Sequence, residues 1–378
     1  MISDAIGFEK KFRLKEDKKF EQYKIMLPKL RENDVMIKIS AISISTLDTQ
    51  IRQTIKGAKK PYILGFGGVG IITRLGSSNQ YLNVGDRVLY VNKVGKYGSY
   101  SNFQIADVRS IVKLPDSFPT DEAAAFSYSF FLAFEVLFSQ LQLTPKPKKN
   151  QGNLLILNTS DGLGATIIQL AKWAGLKVAA TIDKNNSEIW IKNMGADVVV
   201  SQSTQLSKEL TNAEMTPVDY VINLDTEKEK NFDHLSEFKD TAKVLLLHFI
   251  NKKKKNFDPD YLNFYCEDFL EASFTTDEGI EYSRKIMELL VYLWEKNQLT
   301  SILTAQLNGF SDKNFYGAHK LIENNPNFRH LVLINWHNLV QLNEIFLWKT
   351  IFGAKKKLFF ASITFVVISY RNFSFFWG

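Results

Sequence analysis

The chain has 378 residues, 45% of them apolar and 23% charged, the proportions of a globular protein and not of a disordered, collagenous or coiled-coil one. Its single cysteine, Cys266, excludes an intramolecular disulfide and any zinc lobe built on paired cysteines. The formal charge of +7 is uneven, with five basic residues against one acid between 338 and 378, and without aromatic-and-basic interleaving no nucleic acid partner is expected.

Residues 1–20 scatter their charges and lack a long apolar stretch, so no secretory leader is expected and the cytoplasm is the expected location. The first 115 residues read as strands and turns. Asp34–Ser43 alternates apolar and polar residues, the pattern of a half-buried strand. Five glycines between Pro61 and Gly76 suit tight turns, and a Gly85–Asp86 turn feeds another strand. Short strands at this spacing suggest a barrel or sandwich. A helical pattern begins after Leu114, with Asp121 and Glu122 placed for a helix N-terminus.

A polar connector at 144–153 precedes a change of grammar. Strands are expected at Leu154–Leu157, Lys177–Ile182, Asp197–Val200, Asp219–Asn223 and Lys243–Phe249. Between them come helices after Gly164, around Ser187–Met194 and near Phe232–Phe238. Alternating strands and helices imply right-handed βαβ units and a doubly wound parallel sheet. A helix at 281–297 follows, then strand-like pieces at Leu299–Leu307 and His330–Ile334 around a helix at Asn314–Ile322.

The segment Leu154–Lys172 is chemically the most informative. A buried strand runs through Asn158–Gly164 into a helix, whose free N–H groups and positive dipole end suit a pyrophosphate. Gly162 and Gly164 are present, but a full Gly-x-Gly-x-x-Gly ending at Gly164 would need glycines at 159 and 161, where Thr159 and Asp161 stand. A carboxylate about 5 Å from a phosphate is repelled by roughly 3 kcal/mol at an effective dielectric near 20. Asp161 therefore either opposes a dinucleotide or merely caps the helix. Asp183, at the end of the second strand, suits a ribose 2′-hydroxyl, and the adjacent Lys184 suits a 2′-phosphate.

Seven blocks in order resemble the medium-chain dehydrogenase/reductase superfamily, in its zinc-free quinone oxidoreductase and zinc-type alcohol dehydrogenase-like branches. They are SISTLDTQIR, PYILGFGGVGIITRLG, VGDRVLY, LPDSFPTDEAAAF, LLILNTSDGLGATIIQLAKWAG, MGADVVV and PVDYVIN. The resemblance covers about residues 1–336. It implies an α/β fold, a Rossmann doubly wound parallel sheet plus a GroES-like β-barrel domain. Residues 1–125, completed by about 300–337, would form the GroES-like domain, and 126–299 the Rossmann domain. The implied activity is zinc-independent transfer of hydride from NAD(P)H to a quinone or an α,β-unsaturated carbonyl. The alternative is a degenerate Rossmann-type pseudoenzyme acting as a binding or scaffold protein.

For the cofactor, NADPH is placed ahead of NADH. The expected binding residues are Ser160, Asp161, Gly162, Leu163, Gly164, Asp183, Lys184, Asn223 and Ser129. No metal is expected, because Ser45 and Phe66–Gly67 stand where zinc-dependent members carry a cysteine and a Gly-His-Glu. Zinc-free members keep an acid where this chain has Gly67. Ser45 and Tyr90 are the candidate catalytic residues; Tyr97 and Tyr128 are further hydroxyls in the matching segments. Arg329-His330 replaces a Gly-Lys before the last strand. The resemblance also implies a small-molecule substrate and a homodimer.

Residues 338–378 read as an atypical aromatic-rich extension, with eleven aromatics in the last 33 residues. Leu358–Tyr370 is uncharged but, at 13 residues, short of the roughly 20 a spanning helix needs. Three readings of the extension stand open: an extra element packing on a dimer surface, a weak interfacial or tail anchor at 358–370, or an unselected extension, with the last placed first and a membrane partner not the leading expectation. Removal of 338–378 is expected to leave the fold intact.

Overall fold

The computed structural model describes residues 1–14, 20–55, 60–78, 81–92, 97–159, 161–182, 188–201, 206–224, 238–248, 261–324 and 330–335. The expected helix near Phe232–Phe238 falls almost wholly outside these residues, its last residue opening a strand. Ser160, Asp183, Lys184, Arg329 and the 338–378 extension also lie outside them.

The N-terminal part is a β structure. Ile2–Gly7 (β1) and Glu21–Met26 (β2) pair antiparallel. Asp34–Ile44 (β3) is followed by a helix, Thr46–Thr54 (α1). Then come Gly67–Leu75 (β4), Arg87–Val91 (β5), Phe103–Asp107 (β6) and Val112–Lys113 (β7). The helix α1 was not expected, since this stretch reads as strands and turns. Its cause is a capping box: the Ser45 hydroxyl faces the Asp48 backbone, and the Asp48 carboxylate accepts from the Ser45 backbone N–H at 2.9 Å.

The next helix, Thr120–Phe134 (α2), runs on into a π-turn at Glu135–Gln140. Twelve of its fifteen residues are buried, Ala123 through Phe134 without a break. A helix apolar all round must be covered on every side. Here α2 packs against β3, β4 and β5 on one side. That cover also explains β3, which is buried along most of both faces instead of half-buried. The stretch Thr120–Gln140 is long and apolar enough to cross a membrane, but most of it is buried inside the protein.

The α/β part follows as Asn153–Leu157 (β8), Gly162–Ala174 (α3), Lys177–Ile182 (β9), Glu188–Asn193 (α4), Val198–Ser201 (β10), Leu206–Asn212 (α5), Val218–Asn223 (β11) and Phe238–His248 (β12). Leu262–Tyr265 (β13) and Cys266–Ser273 (α6), both too short to show a period, complete it with the long helix Asp277–Glu295 (α7). The parallel sheet has the order β10-β9-β8-β11-β12-β13, the doubly wound arrangement that binds ligands where the order reverses. Here the reversal lies between β8 and β11.

The chain then returns to the first sheet through Ala305–Asn308 (β14), Asp312–Asn324 (α8) and Leu331–Ile334 (β15). β15 pairs antiparallel with β3 and extends a seven-stranded sheet. Helix α2 also packs on α3, α7 and β15, so one apolar helix is shared by both sheets.

Candidate active site at the sheet switch point

At the carboxyl end of β8 the chain turns through Asn158, which takes a left-handed φ of 64°. Glycine is the usual residue for that conformation, and asparagine is among the few others that tolerate it. The turn is tied to β9: the Asn158 N–H donates to Thr181 Oγ1 at 3.0 Å, and Thr159 Oγ1 donates to the Thr181 carbonyl at 2.7 Å. It is also tied across the switch point, where Asn158 Nδ2 donates to Asn223 Oδ1 at 3.0 Å. Asn223, buried at the end of β11, therefore sits on the rim of the crevice.

Gly162 and Gly164 open α3, the first sterically required and the second tightly packed. A Cβ on Gly162 would overlap the His330 ring, and one on Gly164 would lie 3.0 Å from the Leu224 side chain. Leu163, between them, is buried. Asp161 caps the helix, its Oδ1 accepting from the Gly164 N–H at 2.9 Å. That carboxylate satisfies one of the free N–H groups a helix offers to a phosphate. Burial pushes the pKa of the Cys266 thiol and of the Tyr128 phenol up, and the Asp161 charge adds to this, for Tyr128 after Cys266 and Asp48. Asp161 is itself partly buried at the start of α3.

His330 is a site residue the sequence concealed. Its Nε2 donates to the Ala125 carbonyl, and Ser129 Oγ lies 3.5 Å from Nδ1. Since the carbonyl can only accept, Nε2 carries the proton and Nδ1 accepts from Ser129. Ser129 therefore faces His330 and, through it, the rim of the phosphate loop. Burial pushes His330 down to about 4, so the imidazole is neutral at pH 7. It brings no fixed positive charge to the loop.

The other wall comes from the β structure. Ser45 caps α1, its hydroxyl donating to Asp48 Oδ2 at 2.9 Å. Phe66, just before β4, is buried with its ring centroid 6.2 Å from that of Tyr128 on α2. A side chain on Gly67 would collide with the Ser127 hydroxyl, so α2 occupies the space an acid at 67 would need. Tyr90 lies wholly within the β structure and donates to Ser99 Oγ at 3.0 Å. Tyr97 bridges to Ile63. Among the described residues, the donors around Ser45 and Phe66 include no thiolate or imidazole set fit for zinc.

Behind Ser45 runs a buried polar chain. Arg52 Nε donates to His319 Nδ1 at 3.3 Å, and His319 Nε2 lies 3.0 Å from the Tyr100 hydroxyl. Arg52 also pairs with Glu323 and donates to the Phe12 carbonyl at 2.7 Å. A guanidinium only donates, so His319 Nδ1 accepts and Nε2 donates to Tyr100. The Tyr100 proton is then left for Asp48, whose ionised form it stabilises.

Two buried groups here give opposing pH dependences. Burial pushes Asp48 up to about 6 from its ordinary 3.8. In that window the folded state binds its proton more tightly than the unfolded chain does, so Asp48 costs stability as pH rises. His330 is lowered from 6.5 to about 4. There the unfolded chain binds more protons, so the His330 contribution is lost as pH falls. Asp48→Asn is expected to expose a steeper loss of stability from pH 6.5 to 4, and His330→Gln a shallower one. Denaturant unfolding at pH 4, 5, 6 and 7 checks this; parallel profiles for all three proteins would contradict it.

The described residues thus combine a doubly wound six-stranded parallel sheet with a seven-stranded sheet. Residues 31–116 match the alcohol dehydrogenase GroES-like domain family. A zinc-type alcohol dehydrogenase-like protein of Staphylococcus epidermidis is 27% identical over 339 residues, covering 87% of this chain and 98% of the relative. The chloroplast envelope quinone oxidoreductase homolog of Arabidopsis thaliana is 27% identical over 210 residues, 54% of this chain and 63% of the relative. Among solved structures, the quinone oxidoreductase of Pseudomonas syringae pv. Tomato DC3000 superposes with a TM-score of 0.71 at 18% identity, covering 88% of this chain and all of that one. The quinone oxidoreductase from Coxiella burnetii gives 0.67 at 22% identity, covering 89% of this chain and 100% of that one. Over most of its length the chain is thus similar to dehydrogenases and reductases of the zinc-type alcohol dehydrogenase-like and quinone oxidoreductase kinds.

Proposed function

We propose that this protein is a zinc-independent NAD(P)H-dependent reductase that passes hydride to a quinone or an α,β-unsaturated carbonyl. The observation that carries this reading is the turn at Asn158–Gly164, which keeps a left-handed residue and two close-packed glycines although its letters are altered. When bound, the nicotinamide supplies the hydride. The backbone N–H groups of Gly162 and Leu163 would hold its diphosphate at the start of α3. Ser160, Asp183 and Lys184 are proposed to complete the adenosine side, with Lys184 favouring NADPH over NADH. Asn223 and Ser129 hold the rim in place through Asn158 and His330.

The substrate is read as a small carbonyl compound entering beside Ser45. Ser45 is proposed as a polar contact to it, whereas Tyr90, bonded to Ser99 inside the β structure, is reassigned to packing. Zinc independence is supported by the side chains at 45 and 66, neither of which is a thiolate or imidazole. Residues 1–125 with about 300–337 are proposed as one domain and 126–299 as the other. A cytoplasmic homodimer is the proposed form.

A second reading rests on Asp161, whose carboxylate already occupies the Gly164 N–H. On that reading the protein is a Rossmann-type pseudoenzyme acting by binding. Mixing purified protein with NADPH and a panel of quinones and enones, and following absorbance at 340 nm, separates the two. Acceptor-dependent oxidation at tens of turnovers per minute or faster is expected; none with any acceptor would favour the second reading.

A further inference from the structure

Two features meet at one hydroxyl. The Tyr128 side chain is buried, and among the described residues its hydroxyl makes no hydrogen bond of normal length, the Ser45 hydroxyl being a polar neighbour just beyond that reach. Buried polar groups are nearly always satisfied, and an unpartnered one calls for an explanation. Leaving such a group unpaired costs on the order of 1–3 kcal/mol, and phenylalanine would fill the same space without that cost.

The hydroxyl also has a particular address. From the β side, Ser45 at the start of α1 and the Phe66 ring lie against Tyr128. From the α/β side, Asp161 at the start of α3 and Cys266 at the start of α6 are near enough to act on it electrostatically. Tyr128 therefore stands on the seam between the two sheets, along which ligand would enter. Ser45 and Phe66 are the two positions the family resemblance assigns to zinc ligands in zinc-dependent members. The space a Lewis acid would command is thus held by a phenol.

We infer that the Tyr128 hydroxyl is the carbonyl-polarising donor of this site, doing by hydrogen bond what a metal does in zinc-dependent relatives. This rests on the reductase reading above and names the group that binds the substrate oxygen. Hydride adds to the β-carbon of an enone, the C=C pair moves to the bond between the α-carbon and the carbonyl carbon, and the C=O pair moves onto oxygen. Tyr128 donates its hydrogen bond to that oxygen and keeps its proton; water then protonates the α-carbon. Burial, with Cys266, Asp48 and Asp161 close by, holds the phenol's pKa well above its ordinary value, so it stays a donor at working pH. Ser45, beside Tyr128, is itself fixed by the bond from its hydroxyl to Asp48 Oδ2 at 2.9 Å. Donors preorganised toward a developing oxyanion are commonly worth about 10²–10³ in rate.

The test compares wild type, Tyr128→Phe and Ser45→Ala in their NADP⁺ complexes. The probes are para-substituted phenols of graded acidity, planar oxyanions that mimic the enolate. Wild type is expected to bind them, most tightly where the phenolate is most basic. Tyr128→Phe should lose tenfold or more in phenol affinity and about a hundredfold in kcat. Its NADPH affinity should be unchanged and its melting temperature equal or higher. A Tyr128→Phe protein that binds phenols and turns over like wild type overturns the inference. So does one that loses stability and phenol binding together while Tyr128→Met restores both, since packing alone would then explain the residue. If wild type itself fails to bind NADPH, the reductase reading falls, and this inference with it.

Discussion

Gly162→Ala is expected to destabilise the protein by about 3 kcal/mol, the upper end of what overpacking costs in a filled interior. The added methyl would enter the His330 ring, which is held on its far side by the Ala125 carbonyl and has no room to retreat. Helix propensity works the other way, since alanine is favoured over glycine by about 1 kcal/mol within a helix. A net loss therefore isolates the clash. Pairing the change with His330→Ala should recover most of the stability, a coupling that a double-mutant cycle reads directly. Thermal or urea unfolding of the four proteins measures it; additive single effects would show that Gly162 is not confined by His330. The same cycle probes the site, because the His330–Gly162 contact fixes the first turn of α3, from which a diphosphate would be held.

The second large effect is on cofactor affinity. Asp161→Asn keeps a good helix cap, since asparagine and aspartate are comparable N-caps, but removes a negative charge at the start of α3. If that carboxylate lies about 5 Å from the diphosphate, the roughly 3 kcal/mol of repulsion corresponds to about a hundredfold in Kd. NADPH should therefore bind on the order of a hundredfold more tightly to Asp161→Asn, with little change in melting temperature. Asp161→Ala should gain similar affinity but lose about 1 kcal/mol of stability with the cap. Fluorescence titration in low and high salt distinguishes charge from geometry, because screening weakens the gain only if it is electrostatic. An unchanged Kd in Asp161→Asn would mean that the carboxylate never meets the phosphates.

The α/β half was legible from its sequence because its strands are short apolar runs separated by amphipathic helices. The strand at 154–157, the loop at 158–164 and the strand at 177–182 fall where that grammar puts them. Glycines 162 and 164 announced a close approach, which the structure supplies through His330 and Leu224. What escaped was local where it was short and tertiary where it was functional. Helix α1 was missed although Ser45 and Asp48 have capping-box spacing. The signal was present, but the surrounding strands outweighed it. Asn158 concealed a retained turn, and the tolerance of asparagine for left-handed backbone was the clue. His330 was visible only as part of an altered pair before the last strand, and Tyr128 only as one hydroxyl among several; neither showed what it would touch. One sits at the head of an ordinary strand and the other on a helix apolar on every side. Their roles arise from contacts with residues such as Gly162 and Ser45, which are far away in the chain.

The central claim is that the first turn of α3 still holds a dinucleotide diphosphate in spite of Asp161. Calorimetric titration of the unmodified full-length protein with NADPH tests it most directly. Saturable one-to-one binding, weakened by added salt and tightened in Asp161→Asn, is the predicted result. No heat of binding up to millimolar NADPH in either protein would contradict the account.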